Sequence, residues 1–310
     1  MRAVSLDIRA GIVEELERIA PGRVRTGEPM ARHTSFGLGG PADLFVAPAS
    51  PGAFKDAAAF LADERVPVRF LGRGTNLLVR GGGIEGCVLA ASKAFTRLER
   101  RGCEVVAGSG VALARLLAFC AEEGLGGLDG LAGIPGTVGG AVVTNAGSFG
   151  VSMGDRLAEI VVFQPGRDSK RMAARELDVR YRRIAVPAGS VVEEAVVALA
   201  PCDPETVAAR QREALESKWR TQPVGMRSAG CVFRNPEGAA AGRLIDAAGL
   251  KGTRVGGAVV SDVHADYIVN DRGATPDDVE TLIAIVREKV LKHAGVELEL
   301  EIEIAGRRDV

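Results

Sequence analysis

The 310-residue chain has few of the residues that build metal centres and disulfide frameworks. Its three histidines, His33, His264 and His293, lie far apart, and its five cysteines are odd in number, with no two at C-x-x-C spacing. This pattern argues against disulfide frameworks and thiolate zinc sites, so we expect no bound metal.

Three of the cysteines stand in apolar segments. Cys87 and Cys103 lie in strand-like runs, and Cys120 lies on the apolar face of a predicted helix. Because free cysteine is among the most buried residue types, we expect buried structural thiols at these three positions.

Strong charge and long apolar runs are also missing. The formal net charge of -1 argues against general binding to nucleic acid or to membrane surfaces. No apolar run approaches the roughly 20 residues that span a bilayer. Apolar residues of the N-terminal segment, including Leu6, have helical spacing and predict a helix over residues 5–19. The segment lacks the apolar region and the cleavage site that are typical of a signal peptide. We expect a cytoplasmic protein without membrane insertion or nucleic-acid partners.

The composition is otherwise that of a folded protein. The chain is 46% apolar, and its length suits about two domains. Helical and strand-like segments mix without regular βαβ alternation, which favours an α+β fold. A polar segment over residues 203–220 predicts a linker helix. Residues 296–306, "VELELEIEIAG", alternate apolar and acidic side chains and predict a half-buried strand.

Glycine is abundant, with 40 residues in all, and three glycine-rich stretches stand at 70–83, 131–150 and 247–270. In the first cluster, "FLGRGTNLLVRGGG", a strand runs into a turn that exposes successive backbone N–H groups, and such groups bind phosphate oxygens. Small residues in the second cluster would let a flat ring or a diphosphate approach the backbone. Each stretch alone is equally consistent with tight turns. Neither the P-loop nor the G-x-G-x-x-G pattern is present, so a nucleotide or flavin site must use another scaffold.

Cys231 stands in the segment "SAGCVFRNP", residues 228–236. From the residues alone it is a candidate for core packing, metal binding, nucleophilic attack, redox chemistry or proton donation.

Taken together, the segments closely resemble one family, the bacterial UDP-N-acetylenolpyruvoylglucosamine reductases, flavoenzymes that complete UDP-N-acetylmuramic acid for the cell wall. The resemblance runs from "HTSFGLGGPADLFVAP" (33–48) to "GVELELEIEIAG" (295–306). Between them, in the family's order, stand "LGRGTNLLV", "GIPGTVGGAVVTNAGSFG", "YRR", "SAGCVFRNP", "AGRLIDAAGLKG" and "SDVHADYIVN". The chain resembles the family's shorter branch, because residues 150–190 leave no room for the tyrosine-bearing loop of the longer one.

The resemblance implies an α+β fold with a two-part FAD-binding unit of the vanillyl-alcohol-oxidase (PCMH) type and a smaller α+β substrate-binding domain. The implied FAD unit covers 1–202, with subdomains of about 1–72 and 73–202. The substrate-binding domain would cover 203–294, and a C-terminal strand, 295–310, would return to the FAD unit.

The resemblance also implies the chemistry. NADPH would reduce noncovalently bound FAD, which would reduce the enolpyruvyl ether of a nucleotide sugar to UDP-N-acetylmuramate. The protein's tasks would be to stabilise charge and to place a proton donor. We expect a monomer whose partner is this small molecule. The residues that the resemblance assigns to FAD are Gly72, Gly74, Thr75, Asn76, Leu77, Ile134, Pro135, Gly136, Gly139, Gly140, Asn145 and Gly147.

Three residues match catalytic positions of the family. Arg182 would face the substrate carboxylate, since a guanidinium binds a carboxylate bidentately and stays charged. Glu301, if protonated by burial, would donate a hydrogen bond to the developing enolate. Cys231 stands where the best-known members have a serine proton donor, and an ordinary thiol, with a pKa of ~8.5, is a stronger acid than an alcohol. A solvated basic run around Arg182 and a solvated acidic strand face around Glu301 are the structural alternatives.

The substrate side departs from the family at one point. A lysine that often binds the substrate diphosphate is replaced by Thr221, so Arg220 or Arg227 would supply that charge. Arg234 and Asn235 align with substrate-side residues. His264 fits the nucleotide-side motif, with a strand-edge histidine that has a satisfied hydrogen bond as the alternative.

Three other functions are compatible with parts of the sequence. They are an FAD oxidoreductase of the same fold acting on a sugar or lactone, a nucleotide-sugar binding protein without turnover, and a cysteine hydrolase using Cys231. Candidates for every catalytic role argue against a mere binding protein, and no histidine is evidently paired with Cys231 for hydrolysis.

Overall fold

Helices and strands mix along the whole of the computed structural model, which describes residues 10–308. The predicted N-terminal helix is confirmed from residue 10 onward, and its part over residues 5–9, with Leu6, lies outside the described residues. The α-helices are α1 Ala10–Ile19, α2 Pro51–Asp63, α3 Leu113–Glu122, α4 Val138–Val143, α5 Pro204–Thr221, α6 Ala241–Ala247 and α7 Pro276–Ala294.

The strands are short. In chain order they are β1 Val24–Pro29, β2 Pro41–Val46, β3 Val68–Leu71, β4 Leu77–Val79, β5 Ile84–Ala90, β6 Leu98–Arg101, β7 Glu104–Gly108, β8 Leu125–Gly126, β9 Gly147–Ser148, β10 Val151–Ser152, β11 Leu157–Phe163, β12 Lys170–Ala173, β13 Val179–Arg180, β14 Arg183–Ile184, β15 Val191–Ala198, β16 Ala200–Pro201, β17 Arg254–Val255, β18 Ala258–Val260, β19 Ile268–Asn270 and β20 Glu303–Ala305.

The described chain divides into two compact units. The first contains residues 10–26, 44–73 and 86–217, and the second contains residues 27–43, 74–85 and 218–308. The boundary between residues 217 and 218 lies inside α5, the segment predicted to be a linker helix.

Two sheets organise the first unit. The larger is an antiparallel sheet in the order β12-β11-β15-β7-β6. Beside it in the core lies α3, whose Leu113, Leu116, Leu117 and Cys120 are buried at helical spacing. The other sheet has the order β1-β2-β5-β3, with β3 and β5 parallel. The predicted start of α2 is confirmed, because Ser50 caps the helix by accepting a hydrogen bond from the Ala53 amide.

The second unit is built around α7 and the antiparallel sheet β17-β18-β19. A capping box formed by Thr275 and Asp278 starts α7, and Gly295 in the left-handed conformation ends it. The helix buries one apolar face, whose members are Val279, Leu282, Ile283, Val286 and Val290. This core supports the segments that carry Cys231 and Glu301.

The predicted C-terminal strand is interrupted. Leu300 forms an isolated bridge with Phe233, whereas β20 pairs in parallel with β4, so the chain changes partner near Glu301. Residues 301 and 302 form a bend between these two pairings, so the prediction of one continuous strand is wrong. The predicted alternation in burial is kept in part, with Leu298 and Ile302 buried and most of the glutamates exposed.

The cysteine prediction is confirmed at two positions and wrong at one. Cys87 and Cys120 are buried, and burial raises the pKa of each thiol to about 12. Cys103 is exposed, because Arg101 pairs with Glu104 and leaves Gly102 and Cys103 in the hairpin turn between β6 and β7.

Candidate active site

In the first unit, Arg182 lies on a tight hairpin. Strands β13 and β14 pair antiparallel and leave Tyr181 and Arg182 in the turn. Arg182 has a φ of 58°, which is uncommon for a residue other than glycine and is often found at functional sites. Its side chain is half-buried, unlike the exposed Arg180 and Arg183, and its Nη1 donates a hydrogen bond of 2.8 Å to the Gly147 carbonyl. The solvated-run alternative therefore fits Arg180 and Arg183 better than Arg182.

Asn145 connects the second glycine cluster to this hairpin. Its Nδ2 donates to the Arg180 carbonyl at 2.9 Å, and its Oδ1 accepts from the Gly154 amide at 2.8 Å. Its own φ is 42°, again in the left-handed region. The structure thus brings three predicted site residues together, namely Asn145, Gly147 and Arg182.

Gly72, which follows β3, and Gly139, in α4, lie too close to neighbouring side chains to carry a Cβ. A Cβ on Gly72 would lie 2.8 Å from Thr137 Oγ1, and a Cβ on Gly139 would lie 2.7 Å from the Cβ of Ser109. Thr137 caps α4 by accepting a hydrogen bond from the Gly140 amide at 3.4 Å. Ile134, Pro135 and Gly136 form the loop before this cap, where Gly136 has a φ of 128° that strongly favours glycine.

Ser109 gives this part of the first unit an unused polar group. The residue is 4% exposed, and its Oγ has no hydrogen-bond partner within the described structure. A buried hydroxyl without a partner is costly unless a bound group satisfies it. A close-lying backbone with a spare donor fits a dinucleotide such as FAD.

In the second unit, the predicted cofactor residues Gly74 to Leu77 form the turn into β4. Gly74 has a φ of 59°, and a Cβ there would lie 2.1 Å from the His33 carbonyl oxygen, so only glycine fits. The Ser35 amide donates to the Gly74 carbonyl, and Ser35 Oγ contacts the Thr75 carbonyl at 3.4 Å. Asn76 Nδ2 donates to the Glu301 carbonyl at 3.1 Å, which ties this turn to the predicted catalytic glutamate.

Cys231 begins a segment that pairs on both sides. On one side it forms a bridge with Tyr267, and the Val232 amide donates to the Asp266 carbonyl at 2.8 Å. On the other side the Glu301 amide donates to the Val232 carbonyl at 2.8 Å. Three segments that are far apart in sequence therefore bring Cys231, Asp266, Tyr267 and Glu301 into one neighbourhood.

The side chains there are hydrogen-bonded to one another. The thiol of Cys231 forms side-chain hydrogen bonds with the Asp266 carboxyl and the Tyr267 phenol. Asp266 is 3% exposed, and Phe233 donates its amide to Asp266 Oδ1 at 2.9 Å. Burial raises the pKa of Asp266 to about 8. The hydrogen bonds from Phe233 and Cys231 lower this pKa, and the Glu301 charge raises it. Asp266 is therefore largely protonated at neutral pH.

Tyr267 and Glu301 complete this neighbourhood. Burial, followed by the charges of Cys231 and Asp266, raises the pKa of Tyr267 well above its ordinary value, so the phenol keeps its proton. Glu301 is half-buried, whereas Glu297, Glu299 and Glu303 are exposed. The solvated-face alternative thus fits those three glutamates better than Glu301.

The predicted substrate-side residues have different surroundings. Arg220 is exposed in the last turn of α5, and Arg227 is exposed, with its Cδ 3.2 Å from where a Cβ on Gly37 would lie. Asn235 is also exposed, and its Oδ1 accepts from the Ala241 amide at the start of α6. Arg234 is half-buried, and its Nε has no hydrogen-bond partner within the described residues.

His264 lies beside the Cys231 neighbourhood. Its Nδ1 accepts a hydrogen bond from the Asp266 amide at 3.3 Å, so the ring proton is assigned to Nε2. Its ring meets that of Tyr267 edge-on at 5.1 Å between centroids. Burial, and then the Lys251 charge, lowers the pKa of His264, which keeps the ring neutral at physiological pH. The satisfied-histidine alternative therefore remains open beside the nucleotide-side role.

Sequence reasoning missed four polar residues that the structure singles out. Asp266 and Tyr267 stand two and three residues after His264 in "SDVHADYIVN", and an acidic residue just before an apolar strand was the available signal. Ser109 stands in "VAGSG" between β7 and α3, and Lys218 is buried within the otherwise polar α5. Neither of these two has a sequence pattern that separates it from ordinary loop and helix residues.

Comparison with known proteins covers both halves of the chain. An FAD binding domain family matches residues 42–165, and the C-terminal domain of UDP-N-acetylenolpyruvoylglucosamine reductase matches residues 222–305. The curated reductase of Alkalilimnicola ehrlichii is 44% identical over 291 residues, covering 93% of this chain and 97% of its own. That of Geobacter sulfurreducens is 43% identical, covering 95% and 98%.

A solved structure agrees with these matches. The crystal structure of UDP-N-acetylenolpyruvylglucosamine reductase (MurB) from Thermus caldophilus is 36% identical, with a TM-score of 0.80, and covers 91% of this chain and 98% of its own. No helix in residues 10–308 has the length and apolar character needed to cross a membrane.

The fold expectation is confirmed as a PCMH-type FAD-binding domain followed by the reductase C-terminal domain. The cofactors are FAD and NADPH, and the substrate is a nucleotide sugar. The activity of the sequence prediction is likewise confirmed, in preference to the sugar oxidase, binding protein and hydrolase alternatives. The chain belongs to the UDP-N-acetylenolpyruvoylglucosamine reductase family, the FAD-dependent UDP-N-acetylmuramate dehydrogenases of peptidoglycan precursor synthesis.

Proposed function

We propose that Cys231 is the proton donor of the reductase reaction, and that Arg182 and Glu301 stabilise the charge that develops on the substrate. When bound, FAD supplies the hydride chemistry between NADPH and the enolpyruvyl group. The observation that carries the proposal is the shared main-chain pairing of the Cys231 segment, whose Val232 carbonyl accepts from the Glu301 amide at 2.8 Å.

Arg182 binds the substrate carboxylate in this proposal. One guanidinium nitrogen is already fixed by the Gly147 carbonyl, which limits the directions in which the others can point. An oriented, permanently charged fork stabilises a carboxylate and the negative charge that spreads onto it.

Cys231 and Glu301 act on the neighbouring carbon and oxygen. The thiol transfers its proton to carbon, so an S–H bond breaks as a C–H bond forms. Glu301, in its protonated form, donates a hydrogen bond to the enolate oxygen. The half-burial of both side chains supports this division of roles, since each is accessible yet shielded from bulk water.

We propose that FAD is held by the residues assigned from the sequence, with Ser109 and Thr137 added. The spare hydroxyl of Ser109 and the close contacts around Gly72 and Gly139 support this assignment. The assigned residues are Gly72, Ile134, Pro135, Gly136, Gly139, Gly140, Asn145 and Gly147 in the first unit and Gly74, Thr75, Asn76 and Leu77 in the second. A folded preparation should be yellow and should release FAD, not FMN, on mild denaturation.

For the substrate nucleotide and diphosphate we propose Arg220, Arg227, Asn235 and His264. The exposure of both arginines and the neutral state of His264 support this. We further propose a monomer that acts in the cytoplasm, where nucleotide sugars and NADPH are made. The boundaries at 202, 203–294 and 295–310 also remain our proposal.

The decisive experiment separates the two half-reactions of Cys231 variants by rapid mixing. Cys231→Ala should be reduced by NADPH at the wild-type rate but should reoxidise with substrate about 10²- to 10⁴-fold more slowly, as expected on removing a general acid. Cys231→Ser, which keeps an O–H, should retain substantial activity. Wild-type turnover by Cys231→Ala would refute the proposal.

A thiol reagent provides an independent check. Because Cys103 is exposed and Cys202 is half-buried like Cys231, the reagent is applied to protein with Cys103→Ser and Cys202→Ser, with and without the additional Cys231→Ser change. The nucleotide-sugar substrate should protect the first protein from inactivation, and the second should be insensitive.

A further inference from the structure

The Asp266 carboxyl is the most deeply buried titratable group beside Cys231. Asp266 is 3% exposed, and three of its polar groups form hydrogen bonds with Val232, Phe233 or His264. Its carbonyl accepts from the Val232 amide at 2.8 Å, its Oδ1 accepts from the Phe233 amide at 2.9 Å, and its own amide donates to His264 Nδ1 at 3.3 Å. These bonds leave little freedom to the carboxyl, which is hydrogen-bonded to the Cys231 thiol.

The titratable groups around the thiol come from each segment packed against it. Tyr267 and His264 come from the segment before β19, and Glu301 comes from the turn before β20. Lys251, which acts electrostatically on His264, is the cation of this group. Tyr267 keeps its proton, and His264 is neutral, so neither is a ready acid. Asp266 is protonated at neutral pH and loses its proton near pH 8, in the range where an ordinary thiol also ionises.

We propose that Asp266 is the positioning residue of the proton donor: it orients the Cys231 thiol and returns a proton to the sulfur after Cys231 has protonated the substrate. This inference rests on the proposed role of Cys231. In the first step the S–H bond breaks as the new C–H bond forms. In the second, the O–H bond of Asp266 breaks as S–H forms again, and water reprotonates the carboxylate after the product leaves.

The arrangement makes Cys231 and Asp266 a coupled acid pair. With Asp266 protonated, the pair carries a single negative charge after proton donation, and a hydrogen bond from the carboxyl stabilises it. Once Asp266 has ionised, donation would leave two adjacent anions, which repel one another. The fall in turnover at high pH, the alkaline limb of the pH profile, therefore reports the ionisation of the pair and not that of the thiol alone.

Asp266→Asn tests this directly, because the amide keeps the shape and an oxygen acceptor for the Phe233 amide but cannot ionise or return a proton. We expect kcat to fall about 10- to 100-fold, the usual effect of losing a hydrogen bond to a charged group. KM should stay near the wild-type value. The alkaline limb should move to higher pH, since the group that ionises near pH 8 is gone.

Three comparisons identify the cause. Asp262→Asn, at an exposed aspartate of the same segment, should change neither kcat nor the pH profile. Tyr267→Phe should leave the alkaline limb in place, and if it reproduced both effects the phenol would be the partner and the proposal would be wrong. In a Cys231→Ala background Asp266→Asn should cause no further loss, because coupled residues act as a unit.

The outcomes separate this inference from the role of Cys231 itself. Wild-type turnover by Cys231→Ala would overturn both. A slow Cys231→Ala enzyme together with an Asp266→Asn enzyme of normal rate and unchanged pH limb would overturn only the inference. Should Asp266→Asn not fold, alkylation of Cys231 in protein with Cys103→Ser and Cys202→Ser gives the same answer: two coupled ionisations, the first near pH 8, are expected, and a single ionisation would contradict the pair.

Discussion

Replacing Arg182 by lysine isolates the guanidinium from the rest of the hairpin. Lysine has the same main-chain preferences as arginine, so the strained φ of 58° is equally costly in both proteins. The charge is kept, while the planar fork is lost. Arg182 donates through Nη1 to the Gly147 carbonyl at 2.8 Å, and in the proposed role the same guanidinium also binds the substrate carboxylate. A single ammonium cannot reproduce both contacts with the same geometry.

The expected size of the rate loss in Arg182→Lys follows from the loss of one oriented hydrogen-bond donor. Loss of one oriented donor to developing charge in a shielded site costs about 2–4 kcal/mol, or roughly 30- to 1,000-fold in rate. We expect the loss in the reoxidation of the enzyme by the enolpyruvyl nucleotide, followed by stopped-flow flavin absorbance. Reduction by NADPH should stay within about twofold of wild type, because the proposed contact is with the substrate and not with the nicotinamide.

Arg183→Lys is the matched control, since Arg183 is exposed one position along the same turn. It should leave both half-reactions within about twofold of wild type, as surface substitutions usually do. Equal losses in the two lysine variants would show that the effect is not specific to Arg182 and would contradict its assignment. Slowed reduction by NADPH with normal reoxidation in Arg182→Lys would refute the assignment outright.

Three further predictions use the same structure. Glu301→Gln should slow reoxidation by substrate about 10²- to 10³-fold, while Glu299→Gln, at an exposed glutamate, should not; equal rates in the two variants would contradict the role of Glu301. Gly139→Ala should lower the free energy of unfolding by about 1–3 kcal/mol and weaken FAD retention, because its Cβ would lie 2.7 Å from the Ser109 Cβ. The control Gly52→Ala, in open space on α2, should do neither. Thermal unfolding and FAD titration measure the two effects. Burial raises the folded-state pKa of Asp266 to about 8 from 3.8, so its stability contribution is present in full below pH 4 and is lost as pH rises through 8. Asp266→Asn should flatten the dependence of the unfolding free energy on pH, measured across this range.

Local patterns predicted much of the fold, because capping and periodicity act over a few residues. Ser50 and Pro51 predict the start of α2, and the spacing of the apolar residues predicts α3. The exposed Cys103 shows the limit of this reasoning. The sequence predicted a strand that begins at Cys103, whereas β7 begins at Glu104, because the turn takes up both Gly102 and Cys103 and no Asn-Gly pair marks it.

The sequence predicted those candidate site residues that lie in the family's motifs. It did not predict those whose role depends on pairing between segments that are distant in sequence. Cys231 and Glu301 followed from their motifs. Asp266 did not, since its link to Phe233 joins residues 33 positions apart and nothing in the local sequence specifies such a partner. The same holds for Ser109, whose significance depends on the absence of a hydrogen-bond partner within the described structure. A sequence does not show which buried hydroxyls are satisfied.

The way Cys231 is held supports our proposal that a thiol occupies the position of the proton donor. Its backbone is fixed by the bridge to Tyr267, and the next residue is fixed by hydrogen bonds on both edges, from Val232 to Asp266 and from Glu301 to Val232. The position of the side chain is therefore set by the main chain and not by its own chemistry. In our proposal the acidity of the donor is supplied separately, by the hydrogen-bonded carboxyl of Asp266. Substitution at 231 should thus preserve the geometry in both Cys231→Ser and Cys231→Ala, so that a difference between those two variants measures the proton alone.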